Sequence, residues 1–518
     1  KLQIPCAPKA VYKTVDGYFA IEKEVMAPTL EWDSDDFSRD DNVHLGEVAF
    51  SHGLPLFGEA SRCDNDLRGV LSDIQQVGDL VCSQMGEYHA ESHLPKHGPG
   101  VVSDAPRGDK FLFPSWPKKL ENVFPSSLFA FANFGEWSEW LRGGLQKGLS
   151  HHEYPSRLIQ VPKSQKGPRL IAAEPTAHQW CQQSIRTYLE AIVDRTVLRD
   201  SVAFGRQELS REHAITASRD SSSATIDLSS ASDRLSLWLV ERLFRRNPSL
   251  LGALHAARTR WIVNNIDKKN ERFLKLRKFA SQGSAVTFPV QTYCYAIICL
   301  GVLYHIERKF QPELRFMEYL TRLAPKVRVF GDDIIVPTYA YRAVVEVLQH
   351  LGLRVNVDKS FHEGNFRESC GMDAFKGHDV TPAYITRIPS RKSPESISAF
   401  VDIQNNFYKK GFWRTAETLR LLLEREFRIR IPVVPVGSGL FGLESHCGLN
   451  TKGLRKRVNR DLQRDEYQVH IPFSRVDRGT QAGESSLLQY FIEAPEPDSK
   501  WSSGWVQRVS NYVRLRWS

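Results

Sequence analysis

The chain has 518 residues, 41% hydrophobic and 25% charged, and Lys plus Arg exceed Asp plus Glu by 69 to 60, a formal charge of +9. This is the balance of an ordinary soluble globular protein, long enough for a large core and about three subdomains. The basic excess suits a polyanionic partner without proving one.

The eight cysteines, at positions 6, 63, 82, 181, 294, 299, 370 and 447, form no Cys-x-x-Cys pair or other close metal-ligand spacing, so free thiols in a reducing cytosol are expected. The longest apolar run, Tyr293 to Ile306, is too short for a membrane span and is expected as a buried helix. No secretory pattern opens the chain, and because it starts at Lys1 rather than Met the natural N-terminus is expected upstream.

In chain order, residues 1–110 are irregular in pattern, with an acidic run from Glu31 to Asp36 that reads as a solvated loop. From 111 to 160 aromatic residues alternate with turn signals, and Trp116, Trp137 and Trp140 are expected to share a local core. The stretch RLIQVPKSQKGPRLIAAEP, Arg157 to Pro175, spaces Lys163, Lys166 and Arg169 three apart between two strand-like runs. A hairpin bearing three cations can neutralise a triphosphate, or it is simply an exposed basic turn.

ATIDLSSASDRLS, Ala224 to Ser236, reads as a strand ending near Asp227 and a helix starting near Ser232. Asp227 is then either a metal ligand or the cap of that helix. FASQGSAVTFPVQTYCYAIICLG, Phe279 to Gly301, opens on a small, flexible Ser281 to Ser284 segment and continues as a long apolar helix, with Pro289 in its first turn. Such a loop lets backbone and hydroxyls approach a sugar-phosphate, or merely starts a helix.

VFGDDIIVP, Val329 to Pro337, places Asp332 and Asp333 between apolar flanks. The flanks predict two short strands, with Gly331 permitting the turn. Adjacent carboxylates repel unless a cation compensates them, and a hard divalent ion prefers oxygen ligands. If the Asp227 strand neighbours this hairpin, three carboxylates converge. Beyond it, the run from Arg414 has helical spacing and the one from Lys452 is densely basic, a solvated face or a nucleic-acid contact.

The order of these segments resembles the RNA-dependent RNA polymerases, and most closely the replicase β subunits of the single-stranded RNA bacteriophages, the leviviruses. The basic loop looks like polymerase motif F, Asp227 to Asp233 like motif A, Ser281 to Thr287 like motif B and Gly331-Asp332-Asp333 like motif C. NVDKSFHEGNFRESCG, Asn356 to Gly371, and DVTPAYI, Asp379 to Ile385, are similar to levivirus segments at the same place.

The resemblance covers roughly residues 157–390 and implies an α+β right-hand polymerase fold of palm, fingers and thumb with an antiparallel palm sheet. It implies an N-terminal region over 1–110, fingers over 111–215 including the basic loop, a palm over 216–390, and thumb and C-terminal region over 391–518. It further implies RNA-directed RNA polymerase activity on a viral genome, with Asp227, Asp332 and Asp333 holding two Mg²⁺ ions for which Mn²⁺ could substitute. Lys163, Lys166 and Arg169 would line the nucleotide entry path, Asp233 would face the ribose, and Ser281, Gly283 and Thr287 would lie at template and nucleotide. Lys359 would act as the general acid for pyrophosphate.

One departure stands in motif B, where better-known levivirus replicases read Met-Gly-Asn-Gly and this chain has Gln282-Gly283-Ser284-Ala285, replacing an amide by a hydroxyl. By the same resemblance the partners are RNA, ribonucleoside triphosphates, host elongation factors Tu and Ts and an RNA-binding ribosomal protein, in the cytoplasm of an infected bacterium and without a membrane. The rival readings are a reverse transcriptase, which usually carries Tyr-x-Asp-Asp, and a non-catalytic RNA-binding protein with a polymerase-like fold.

Overall fold

A computed structural model describes residues 7–25, 65–97, 100–105, 113, 115–131, 138, 149–150, 152–164, 167–390, 395–427, 431–437, 441–448, 450, 455–476 and 509–517. The acidic run at 31–36, Trp137, Trp140 and Lys166 lie outside the described residues. The chain forms two compact units, one of residues 7–161 and 167–381, the other of 1–6, 162–166 and 382–518.

In chain order the elements that position the site are α1 (Pro8–Glu24), α2 (Asn65–Met85), β1 (Ser156–Ser164), β2 (Gly167–Ala173), α3 (Thr176–Ile192), α4 (Gln207–Asp220), β3 (Ser223–Ser229), α5 (Ala231–Arg234), β4 (Trp261–Val263), β5 (Phe273–Lys275), α6 (Thr287–Glu307), β6 (Arg328–Phe330), β7 (Asp333–Pro337), β8 (Arg354–Val355), β9 (Phe366–Ser369), β10 (Met372–Phe375) and β11 (His378–Asp379). The smaller unit contributes α7 (Glu395–Lys409), α8 (Trp413–Phe427), β12 (Lys456–Asn459), β13 (Arg464–Val476) and β14 (Val509–Trp517).

The larger unit is built on a four-stranded sheet of order β8-β3-β7-β6, antiparallel at every pairing. Alternation along β3 sends Ala224, Ile226 and Leu228 into the main core, as Ile334 and Val336 do on β7. Thr225 and Asp227 therefore share the opposite face. The sequence reading ended this strand near Asp227; instead β3 runs to Ser229, because Leu228 and Ser229 pair with Val355 and Arg354 of β8. Asp227 is thus a mid-strand residue, and the helix it was a candidate to cap starts only at Ala231.

The apolar run is a buried helix, as read, and longer than the run itself. α6 has the length and hydropathy to cross a membrane, but 89% of its most apolar window is buried inside the protein. Its Tyr293, Ile297, Leu300 and Val302 are all fully enclosed. A helix apolar all round belongs in the centre of a large core, and α6 packs against the main sheet and α2.

A second sheet, of order β2-β1-β4-β5, carries α1 on one face, with Val15, Tyr18 and Phe19 packed on Leu158, Ala172 and Ile262. Trp116 is buried in the main core. In the smaller unit, α7 and α8 enclose their own core around Phe400, Val401, Leu419 and Leu423, and β12, β13 and β14 form an antiparallel sheet.

Candidate active site

β6 and β7 close a hairpin over Gly331-Asp332, with Phe330 opposite Asp333. Gly331 has φ 64°, and a Cβ on it would stand 2.9 Å from the Phe288 ring, so both the turn and the packing require glycine. Its amide donates to Thr292 Oγ1 of α6 at 3.1 Å. Asp332 is exposed at the tip and Asp333, the first residue of β7, is half-buried.

The cross-strand partner of Asp333 on β3 is Asp227. Directly opposed residues in a sheet hold their Cβ atoms about 5 Å apart, so two carboxylates face each other with a third next door. Burial, then the charges of Asp332 and Asp227, push Asp333 up to about 6 against the hydrogen bonds that Cys370 gives it. Burial also raises Asp227, opposed by the Asn356 hydrogen bond and the charge of Lys359. A cluster of repelling oxygens suits a hard divalent cation. Among the described residues no three Asp, Glu, His or Cys side chains are already grouped tightly enough to hold an ion.

The segment from Asn356 to Gly371 braces these carboxylates. Asn356 Nδ2 donates to Asp227 Oδ2 at 2.8 Å, and the Asp227 amide donates to Ser360 Oγ at 3.1 Å. Arg367 is fully buried, and among the described residues it has no carboxylate partner; its guanidinium donates to the carbonyls of Ser223 at 2.6 Å, Gly364 at 2.9 Å and Phe366 at 2.6 Å. It ties β9 to the start of β3, which brings Cys370 to Asp333. Lys359 is half exposed, 3.4 Å from Glu368; burial works against its charge, but Glu368, Asp227 and Asp333 outweigh that and raise it.

The loop before α6 is held by backbone. Gln282 accepts from the Ala172 amide of β2 at 2.6 Å. Gly283 has φ 120°, and a Cβ there would fall 1.9 Å from the Ala172 carbonyl oxygen. Ala285 donates to Gln182 Oε1 of α3 at 3.2 Å. Ser281 and Thr287 are buried, with the Ser281 hydroxyl 2.8 Å from Tyr18 Oη and Thr287 Oγ1 donating to the Ser281 carbonyl at 2.9 Å. Ser281 thus ties the loop to α1, and Thr287 ties the loop to itself. Ser284, at the Asn position of the resembled motif, is buried, and its hydroxyl has no hydrogen-bond partner among the described residues.

Asp233 on α5 receives Lys278 Nζ at 2.9 Å. Lys278, Tyr18, Glu22 and Gln182 were missed in the sequence reading. Lys278 lies only three residues before Ser281, yet a lone lysine in RKFASQG gives no sign that it is buried.

A family profile described as the RNA replicase β-chain matches residues 143–417, more than half of the sequence and the whole of this site except α1. The chain belongs to the RNA replicase β-chain family. It is 30% identical over 262 residues to the RNA-directed RNA polymerase subunit beta of Qbeta virus strain MX1, covering 51% of this chain and 39% of that one. Against the Enterobacteria phage SP subunit beta it is 32% identical over 261 residues, 49% of this chain and 39% of the other. Against the Escherichia phage MS2 beta chain the figures are 28% over 254 residues, 48% and 41%. The match spans about two fifths of the length of these curated relatives. A solved chain titled "RdRp complex" aligns at TM-score 0.43 and 11% identity over 72% of this chain and 34% of that one, too distant to bear on the argument.

Of the three cations singled out in the sequence, Arg169 is exposed on β2 in the larger unit. Lys163, exposed near the end of β1, belongs to the smaller unit. The basic run from Lys452 falls beyond the family match, and three cations of its described part are paired within their own sheet: Lys456 with Asp465 at 2.7 Å, Arg457 with Glu466 at 2.7 Å and Arg464 with Glu466 at 3.1 Å. That is the pattern of a solvated face.

Proposed function

We propose that this chain is an RNA-dependent RNA polymerase that copies a viral single-stranded RNA genome from ribonucleoside triphosphates. The observation that carries the reading is the register of β3 on β7, with Asp227 opposite Asp333 and Asp332 at the adjoining tip, in a chain of the RNA replicase β-chain family. In this reading the β8-β3-β7-β6 sheet is the palm, residues 111–215 the fingers and 391–518 the thumb and C-terminal region.

Asp227, Asp332 and Asp333 would hold two Mg²⁺ ions, or Mn²⁺ in their place. When bound, such ions neutralise the cluster, lower the pKa of the attacking 3′-hydroxyl and stabilise the departing pyrophosphate. The chain's own residues prepare the reaction. Asn356 aims the Asp227 carboxylate, and Cys370 fixes Asp333 at the start of β7. Lys359, held protonated by its acidic neighbours, can give its proton to a pyrophosphate oxygen. Lys163, Lys166 and Arg169 would meet the triphosphate on its way in, and Asp233 would accept from a ribose hydroxyl.

The relatives are named as β subunits, which supports action within a complex; host elongation factors Tu and Ts and an RNA-binding ribosomal protein, in the infected bacterial cytoplasm, are the partners we propose. The test is incorporation of labelled ribonucleotide on a short RNA template with Mg²⁺, with Asp332→Asn as control and the elongation factors added in a parallel reaction. Metal-dependent product lost in the variant supports the reading, and product from deoxyribonucleotides alone would turn it to reverse transcription. Absence of product in both reactions overturns it.

A further inference from the structure

Lys278 has no solvent exposure, and an ammonium in such a place is costly unless several partners compensate it. Three do. Asp233 Oδ1 lies 2.9 Å from its Nζ and Glu22 Oε2 3.7 Å, while the Tyr18 ring centroid is 3.5 Å away. Burial disfavours the charged lysine, but Asp233, Tyr18 and Glu22 outweigh it and raise its pKa.

Tyr18 and Glu22 both come from α1, about 200 residues before the Asp227 motif and about 310 before Asp332. Tyr18 reaches past Lys278 to the Ser281 hydroxyl at 2.8 Å, and Glu22 Oε1 accepts the amides of Arg277 and of Lys278, the latter at 3.0 Å. The chain around Lys278 is also paired to the chain after Asp233: Leu237 donates to the Arg277 carbonyl at 3.1 Å and Phe279 to the Leu235 carbonyl at 2.8 Å. One helix face therefore grips the Asp233 turn and the Ser281 loop together.

Within this cluster only Asp233 reaches solvent appreciably, its side chain 20% exposed against 0% for Lys278 and 3% for Glu22. Two carboxylates share one ammonium, so the cluster keeps an excess negative charge and acceptor capacity at its one open member. A carboxylate pinned from behind by a buried cation is an oriented acceptor for a hydroxyl donor. A site built to bond a hydroxyl discriminates against the analogue that lacks it.

We propose that Tyr18, Glu22 and Lys278 are positioning residues of the nucleotide site, which lock Asp233 and the Ser281 loop in one geometry and thereby set the preference for ribonucleoside over deoxyribonucleoside triphosphates. The proposal rests on the polymerase reading. It makes α1 part of the nucleotide site, and it provides sugar discrimination in a chain whose Ser284 replaces an amide.

The test uses Tyr18→Phe, which keeps the ring over Lys278 and removes only the hydroxyl at Ser281. With the full chain, single-nucleotide extension with GTP and with 2′-deoxy-GTP gives the ratio of the two efficiencies, and displacement of a fluorescent GTP analogue by each gives the ratio of affinities. Losing one hydrogen bond should lower the ribose preference about fivefold, with the melting temperature within about 2 °C of the parent. In a Ser281→Ala background the same change should lower it no further, because the two hydroxyls form one hydrogen bond; a merely structural role would leave the ratio itself unmoved. Glu22→Gln, which keeps an acceptor for both amides but leaves Asp233 the sole counter-ion of Lys278, should also lower the ratio. An unchanged ratio in Tyr18→Phe and Glu22→Gln, with a parent that incorporates ribonucleotide, overturns this proposal and leaves the polymerase reading standing. A parent that neither extends RNA nor binds GTP overturns both.

Discussion

The hairpin at Gly331 and the loop at Ser281 both pack against the N-terminal half of α6, yet they treat polar groups in opposite ways. The hairpin gathers like charges, Asp332 and Asp333 beside Asp227, and leaves them short of positive charge. The loop instead pairs its polar groups with protein: Ser281 with Tyr18, the Ala285 amide with Gln182, the Gln282 carbonyl with the Ala172 amide and Thr287 with the Ser281 carbonyl. Unrelieved repulsion is tolerable only where a ligand completes the shell, whereas internal satisfaction makes a rigid wall. In the polymerase reading we propose, chemistry would belong to the hairpin and shape to the loop.

This contrast is broken most directly by Asp332→Asn. We expect RNA extension to fall at least about a thousandfold, because charge stabilisation at such a site is worth several kcal/mol, while thermal stability holds or rises as repulsion is relieved. Retained extension would remove the carboxylates from the mechanism. Gly283→Ala should do the reverse: with a Cβ directed at the Ala172 carbonyl, denaturant unfolding should show a loss of about 3 kcal/mol. A variant as stable as its parent would mean the loop yields easily and is no wall.

Lys359→Ala sharpens the hairpin side. Single-turnover extension should slow about a hundredfold, the scale of general acid catalysis, with RNA affinity nearly unchanged; equal single-turnover rates would confine Lys359 to its pairing with Glu368. The smallest effect expected is that of Asn356→Ala. Without the amide on Asp227 Oδ2, extension should fall about fivefold, the value of one hydrogen bond to that carboxylate. A loss as large as that of Asp332→Asn would instead make Asn356 part of the reacting centre.

Much of the carboxylate site was legible in the sequence, because the signals were local. Val and Ile on both sides of Gly331-Asp332-Asp333 predict strands, a glycine between them predicts the turn, and an apolar run of helical length predicts a buried helix. The C-terminal basic run shows the limit of such reading, since only the paired strands reveal that Lys456, Arg457 and Arg464 already face Asp465 and Glu466. Asp227 shows it again: the strand end was misplaced by two residues because β8, more than a hundred residues away, supplies the hydrogen bonds that extend it.

By itself the sequence determined that two adjacent carboxylates stand in a hairpin, that a small-residue loop precedes a buried helix, and that the motif order resembles that of the viral RNA polymerases. Only the tertiary structure decided that Asp227 faces Asp333, that Ser281 bonds Tyr18 of α1 while Thr287 turns into its own loop, and that Lys278 is buried between Tyr18, Glu22 and Asp233. The reason is physical. Strand and turn propensities act over a few residues, whereas cross-strand register and the pairing of a buried charge depend on groups that only the folded chain brings together.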